Sequence, residues 1–310
     1  MTQLINNYKL FGYDEIFAKF KAMENDKILP NKILLSGPKG IGKFTFSIHF
    51  INYILSLNEE NKYDDVNFTI NQYSKSFSLM NNLSHPNLSI VNLKSNKKNI
   101  EIDQIRNIIT NSQKSSFNSK KRFILVDNVE FLNINASNAL LKILEEPPEN
   151  IYFILIHDSS KKIPDTIKSR SIVFKKNFSN KETIAVINKI IDDDIEKKMH
   201  KCFLNKYSSI GELIFLLDFA KQNEINLNDI EIKDLLNFMI YKKFYKSDHQ
   251  TFNLMINLIH YFFYEIYTTT KDNDFFNLYS AFIKKINSTL KYNLDTETLF
   301  FEFKNKIINE

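Results

Sequence analysis

Cysteine is almost missing from this chain: Cys202 is the only one. That excludes an intrachain disulfide and any multi-cysteine metal site. Arginine is nearly as scarce, with only Arg106, Arg122 and Arg170 among 41 Lys+Arg. Lysine in its place, beside heavy use of Asn, Ile and Phe, suggests an AT-rich coding bias, and each remaining arginine is informative for that reason. Long apolar runs are missing too. The most apolar stretch, Phe252–Tyr267, is interrupted by Asn253, Asn257, His260 and Glu265, too short and too polar to span a bilayer. Met1–Leu10 lacks the basic-then-apolar order of a secretory signal. A soluble cytoplasmic protein with no membrane partner is the expectation. The net charge of +5 permits contact with nucleic acid but does not argue for it.

Glycine is the scarcity that points to a site. The chain has 5 glycines, and Gly37, Gly40 and Gly42 crowd into Ser36–Gly37–Pro38–Lys39–Gly40–Ile41–Gly42–Lys43–Phe44–Thr45. An apolar run, Ile33–Leu35, precedes this stretch and a helical pattern, Phe46–Leu55, follows it. A strand, a glycine loop, a lysine and a helix are the parts of a phosphate cradle. Backbone N–H groups and the helix N-terminus attract anionic oxygens, and Lys43 can reach the terminal phosphates. Gly37, Lys39, Gly40, Gly42, Lys43 and Thr45 are the candidate nucleotide-binding residues. The alternative is a strand-to-helix turn that holds no ligand.

One position departs from the phosphate-loop pattern. The residue after the lysine ordinarily supplies a hydroxyl to Mg²⁺. Here it is Phe44, and the hydroxyl arrives one residue later on Thr45, turned by about 100° around a helix. ATP or ADP fits such a loop, with Mg²⁺ held weakly or not at all.

At 310 residues, two or three domains and a sizeable core are expected. Apolar runs near residues 33, 90, 124, 153 and 173 read as strands, mostly separated by helical patterns. This predicts a parallel α/β sheet covered on both faces, with ligands at the strands' carboxyl ends. Helices are expected over 13–23, from the glycine loop to about 57, and over 101–113. Another is expected to be capped by Asn135 and stopped by Pro147–Pro148. Residues 58–83 take no assignment, and 115–121 read as a polar loop. Beyond Phe178 the strand signal ends. Helices are expected over 181–191, 193–203, 212–222, 229–245, 252–267, 274–290 and 295–308, with Gly211 in a break. The division is residues 1–177, an α/β nucleotide-binding-type domain; 178–207, a small helical lid; and 208–310, a helical collar.

The third run, Phe123–Val126, ends at Asp127, where a carboxylate can hold Mg²⁺. A strand-end carboxylate capping the next turn is the plainer reading. The neighbour that would orient a hydrolytic water is Asn128, which cannot act as a carboxylate base. Phe44 and Asn128 together predict weak or absent ATP hydrolysis by this chain.

Asn138–Ala139–Leu140–Leu141–Lys142–Ile143–Leu144–Glu145–Glu146–Pro147–Pro148 resembles a segment typical of bacterial clamp loaders. Ile163–Pro164–Asp165–Thr166–Ile167–Lys168–Ser169–Arg170–Ser171 resembles their L-P-x-T-I-x-S-R-C element. The glycine loop, Ser84–His85–Pro86 and Ile102–Asp103–Gln104–Ile105–Arg106 also fit. Over about residues 5 to 175 the chain is similar to the delta-prime subunits of the DNA polymerase III holoenzyme, a family of AAA+ proteins. Beyond that it is similar in architecture only.

The resemblance implies a fold and a role. The fold is an AAA+ P-loop domain with a five-stranded parallel sheet, a helical lid and an all-helical collar that holds subunits in a ring. The role is that of a stator in a hetero-pentamer with gamma/tau-like motor subunits and a delta subunit. That assembly opens a sliding clamp and loads it on primer–template DNA. Arg170 matches the arginine that enters the neighbouring motor subunit's ATP site. A rigid, always-charged guanidinium there stabilises charge on a γ-phosphate. A loop arginine in a surface salt bridge is the alternative. Ser171 replaces the usual cysteine. The family's four zinc-binding cysteines have no counterpart, so no zinc module is expected. His157 or Asp158 stands where the family reads the γ-phosphate, and a carboxylate there repels phosphate. Arg106 lies on a helix that borders the family's central chamber; a DNA backbone contact and a solvated helix face are both open. Cys202 reads as packing. An ATP-hydrolysing gamma/tau-like subunit is the first alternative, and a stand-alone P-loop ATPase or kinase the second.

Overall fold

The strand runs alternate in which core they feed, and that alternation builds the first unit. Successive side chains of a strand point to opposite faces. Ile33, Leu35, Phe123, Leu125, Ile154 and Ile156 enter one buried cluster, while Leu34, Ile124, Val126, Phe153 and Leu155 enter another. Each fully buried side chain of this size contributes about 1.5–3 kcal/mol. A sheet apolar on both faces must be covered on both, which a parallel sheet with crossover helices achieves.

The computed structural model describes residues 7–94, 97–113, 121–204, 208–271, 273–292 and 294–305. The first unit comprises Met1–Glu182 and the second Thr183–Glu310. The first carries α1 (Asp14–Asn25), β1 (Lys32–Gly37), α2 (Lys43–Ser56), α3 (Lys75–Asn81), β2 (Leu88–Val91) and α4 (Ile102–Gln113). It continues with β3 (Arg122–Val126), α5 (Ile134–Glu145), β4 (Ile151–Asp158), α6 (Asp165–Ser169) and β5 (Ile172–Lys175). The five strands form one sheet in the order β2-β3-β4-β1-β5, and every pairing is parallel. This is the α/β P-loop architecture expected from the sequence. β1 lies between β4 and β5, with Leu34 opposite Leu155 and Ile33 opposite Ile172.

On one face, α1 and α2 pack an aromatic cluster. Phe17 and Phe20 of α1 meet Phe46 and Phe50 of α2 edge to face, with ring centroids 5.1–6.3 Å apart. Residues 58–83, unassigned from sequence, are fastened to this face. His49 Nδ1 lies 3.0 Å from the Tyr63 hydroxyl, and Glu59 accepts from the Ser74 hydroxyl at 2.8 Å and the Ser76 N–H at 3.0 Å. Burial holds the His49 imidazole down to about 4. On the other face, Ile100 and Ile105 pack with Ala136, Leu140 and Leu144 of α5.

The second unit is helical: α7 (Asn180–Ile191), α8 (Ile210–Gln222), α9 (Ile232–Tyr241), α10 (His249–Thr270), α11 (Asn273–Tyr292) and α12 (Thr296–Phe303). Phe263 of α10 packs near Phe282 of α11 and Phe303 of α12. Glu212 accepts from Asn257 Nδ2 at 2.6 Å and the Tyr261 hydroxyl at 3.1 Å, tying α8 to α10. No helix among the described residues is long and apolar enough to cross a membrane.

Three local expectations are corrected. The cap of α5 is Asn133, whose side chain accepts from the Ala136 N–H at 2.8 Å, and not Asn135. The helix expected over 193–203 is two short 3-10 turns, each begun by its own cap, Asp194 and His200. Local side-chain capping there outcompetes a continuous helix. Gly211 lies inside the first turn of α8, because Ser209 and Glu212 form a reciprocal capping box that spans it. Residues 115–120 of the expected polar loop, and the last expected helix beyond residue 305, lie outside the described residues.

Candidate functional site

The glycine loop joins the carboxyl end of β1 to α2, so the sheet itself sets its position. Gly40 and Gly42 adopt positive φ of 79° and 87°, where a side chain is strained. Gly37 is needed for another reason. A Cβ there would meet the Lys176 carbonyl oxygen at 2.1 Å, so the loop begins at a close approach between backbones. Tyr13 fastens the loop from α1's side: its hydroxyl donates to the Ile41 carbonyl at 3.0 Å.

Helix α2 is preceded by Gly42, which gives it no side-chain cap. Its first N–H groups are left for an anion. The Lys43 side chain folds back over the loop, donating to the carbonyls of Gly37 at 2.7 Å and Pro38 at 2.6 Å. An ammonium has three donors, so this posture leaves one for a phosphate oxygen. Lys39 and Gly40 stand exposed at the loop tip, and Thr45 is half-buried. Phe44 packs its ring against the aromatic core.

The structure places Asp127, Glu130 and Asp158 within electrostatic reach of Lys43. Burial lowers the Lys43 ammonium from its ordinary value, and the three carboxylates oppose that shift. Burial, reinforced by Glu130, pushes the Asp127 carboxyl up to about 6. Asn128 beside it pulls the Asp127 carboxyl back down to a smaller extent.

Glu130 and the Asp158 carboxylate are the parts that sequence reasoning missed or left open. Asn128 takes a left-handed turn, φ 57°, which sends the chain back toward β4. Glu130 then accepts from the Asp158 N–H at 3.2 Å. A left-handed Asn is a recognisable turn signal, but the direction it sends the chain depends on β4. His157 lies within electrostatic reach of Glu130, and both of its ring nitrogens have partners. Its Nε2 lies 3.0 Å from the Lys161 carbonyl and its Nδ1 3.0 Å from Ser36 Oγ. The carbonyl takes a donated proton, so in the neutral ring Nδ1 accepts from the Ser36 hydroxyl.

The loop, the lysine and the uncapped helix fit a nucleotide's phosphates. The acidic wall formed by Asp127, Glu130 and Asp158 works against binding them. Among the described residues no group of three or more His, Cys, Asp or Glu side chains is arranged to hold a metal ion.

Arg170 belongs to a different place. It ends α6, two residues before β5, and β5 pairs with β1 through Ile172 opposite Ile33. That puts it at the strands' amino ends, while the glycine loop sits at their carboxyl ends. Six strand residues separate the two levels, roughly 20 Å. Its Nη2 donates to Glu145 Oε1 at 2.6 Å and its Nη1 to the Thr166 carbonyl at 3.3 Å. The side chain is 34% exposed. Ser171 Oγ beside it is buried with no hydrogen-bond partner among the described residues, an environment better suited to a thiol than a hydroxyl. Arg106 is largely solvated, with Asp103 at 3.9 Å. Cys202 is half-buried, and burial raises its thiol to about 11.

A family model described as "DNA polymerase III, delta subunit" matches residues 12–180. The DNA polymerase III subunit gamma of Buchnera aphidicola subsp. Acyrthosiphon pisum is 28% identical over 173 residues, covering 51% of this chain and 48% of that protein. The DNA polymerase III subunit delta' of Buchnera aphidicola subsp. Baizongia pistaciae is 30% identical over 155 residues, covering 48% and 46%. The DNA polymerase III subunit gamma/tau of Mycoplasma genitalium is 29% identical over 309 residues, covering 91% and 48%. The chain thus spans about half the length of the curated relatives it matches. With more than half of its own residues matched by the family model, the chain belongs to the DNA polymerase III, delta subunit family.

Proposed function

We propose that this chain is a delta-prime-type subunit of a bacterial clamp loader, a stator that hydrolyses ATP poorly itself and lends Arg170 to a neighbouring subunit's ATP site. The residues 178–207 then act as a lid and 208–310 as the collar that holds it among gamma/tau-like and delta subunits. Clamp and primer–template DNA are met through that assembly. The observation that carries this reading is the separation of Arg170 from the chain's own phosphate loop. A half-exposed guanidinium at the opposite, amino end of the strands, roughly 20 Å away, has no route to a phosphate held by Lys43. Next to it, Ile172 and Val173 of the edge strand β5 are 54% and 39% exposed, apolar surface that suits a partner.

The chain's own site supports the other half of the reading. Phe44 supplies no hydroxyl, Asn128 no base, and three carboxylates surround the lysine. In this proposal Gly37, Lys39, Gly40, Gly42, Lys43 and Thr45 hold ATP or ADP, and Asp127 takes part only through whatever Mg²⁺ accompanies the nucleotide. Relatives named gamma and gamma/tau favour a second reading, a hydrolysing motor subunit. Glu130, close to Asp127 and Lys43, would be the base in that case.

Reconstitution with the gamma/tau-type subunit tests the proposal. Arg170→Ala is expected to lower that subunit's ATP turnover on the order of 10³-fold, the low end for an arginine finger. Arg170→Lys keeps the charge for assembly but loses the planar fork, and is expected to fall nearly as far. Unchanged turnover in complexes that still assemble would overturn the reading.

A further inference from the structure

Glu145 is the last residue of α5, where the helix dipole disfavours a negative charge. The end of α5 is itself fastened to the sheet. Lys32, which opens β1, donates from Nζ to the Leu144 carbonyl at 3.1 Å. The Glu145 carboxylate therefore extends from a fixed point, and it accepts from Arg170 Nη2 at 2.6 Å. On its other side Arg170 Nη1 donates to Thr166 within α6. A guanidinium has five donors in a rigid plane. Two are engaged among the described residues, one on each terminal nitrogen, and this fixes the orientation of the plane.

We propose that Glu145 is a positioning residue: it aims the Arg170 guanidinium so that its remaining N–H groups face outward toward an anionic ligand held by a second polypeptide. The ligand class is the terminal phosphate of a nucleoside triphosphate, and the proposal rests on the function proposed above. Glu145 is 52% exposed, and an exposed ion pair contributes little to stability. The effect is on geometry. An arginine with rotamer freedom must be ordered each time it meets the phosphate, and a pre-aimed one does not.

The test uses the reconstituted complex with four versions of this chain: wild type, Glu145→Ala, Arg170→Ala and the double variant. Glu145→Ala is expected to lower the neighbour's kcat about 10-fold with KM for ATP and assembly affinity unchanged. Glu145→Gln keeps an acceptor oxygen and is expected to restore part of the loss. In the Arg170→Ala background, Glu145→Ala is expected to change nothing, because it acts only through the guanidinium. A readout without activity comes from the free chain. It has only 3 arginines, so its arginine side-chain NMR signals are few. The Arg170 signal is expected to move and its N–H exchange to quicken in Glu145→Ala. If Arg170→Ala impairs turnover but Glu145→Ala leaves kcat unchanged or raises it, the positioning role is wrong and the function stands. If Glu145→Ala lowers turnover equally with and without Arg170, its effect is structural and the role is again wrong. If Arg170→Ala has no effect, both proposals fall.

Discussion

At Asp127 the fold works against its own stability. Burial and the nearby Glu130 push its carboxyl up to about 6, above the ~3.9 of an unfolded aspartate. The folded state therefore binds the proton more tightly than the unfolded chain. Stability from this group falls as pH rises from about 4 to about 6, and the deficit is fully present above that. Asp127→Asn is expected to stabilise the nucleotide-free protein by about 1–3 kcal/mol at pH 7.5 and to change little at pH 4. Urea midpoints at the two pH values check this, and an equal gain at both would show that charge burial is not the cause. Lys43, Gly40 and Gly42 were legible in the sequence because their tasks are local ones of backbone φ and side-chain reach. Asp158 was legible only as one of two alternatives at a strand end. Glu130 lies three residues beyond Asp127 in the sequence, but its direction is set by the Asn128 turn and by β4, 28 residues away along the chain.

Among the elements, β1 carries the most consequence, since it ends in the loop, pairs with β4 and β5, and starts with the lysine that fastens α5. Gly37 and Gly40 fail differently when given a side chain. At Gly37 the new methyl meets a backbone oxygen of the segment after β5 at 2.1 Å, so strands must part. Gly37→Ala is expected to cost about 3 kcal/mol or more. Gly40 is exposed with φ 79°, and Gly40→Ala is expected to cost only the left-handed strain, about 1–2 kcal/mol. Thermal melts of the two variants separate the mechanisms, and equal losses would refute the close-approach account. All five strands were readable as apolar runs; in β1, β3 and β4 the reason is burial on both faces, whereas β5 is apolar though it lies exposed at the sheet edge. The end of the helix carrying Leu140 was readable from Pro147–Pro148, while its start was misplaced by two residues. Asn133 and Asn135 are chemically identical caps, and the approach to Ile100 and Phe131 decides between them: the Ile100 carbonyl takes the Asn133 N–H at 3.2 Å, and the Ile100 N–H reaches the Phe131 carbonyl at 2.7 Å.

For the molecule as a whole, the proposed division of labour separates binding from hydrolysis. The purified chain is expected to turn over ATP well below the ~1 s⁻¹ at the low end of ordinary enzymes. Any ATP or ADP that binds is expected to be lost in Lys43→Ala. Calorimetric titration and a phosphate-release assay measure the two. Several turnovers per second, abolished by Lys43→Ala, would instead favour the motor-subunit reading and place Glu130 in the role of base. The second unit's helical character was plain from its amphipathic aromatic spacing. Its breaks were not, since Asp194, His200 and Ser209 each cap a turn through their own side chains.

By itself the sequence determined the phosphate loop, the two-faced sheet, the helical second half and the isolation of Arg170 as a rare guanidinium in a lysine-rich chain. Those features depend on residue type and on spacing along a few turns or strands. Only the tertiary structure decided that three carboxylates lie near Lys43, that Arg170 lies at the other end of the strands from it, and that Glu145 holds its guanidinium. Each of those depends on strand order and register, which bring together side chains far apart in the chain, and no local spacing encodes such an encounter.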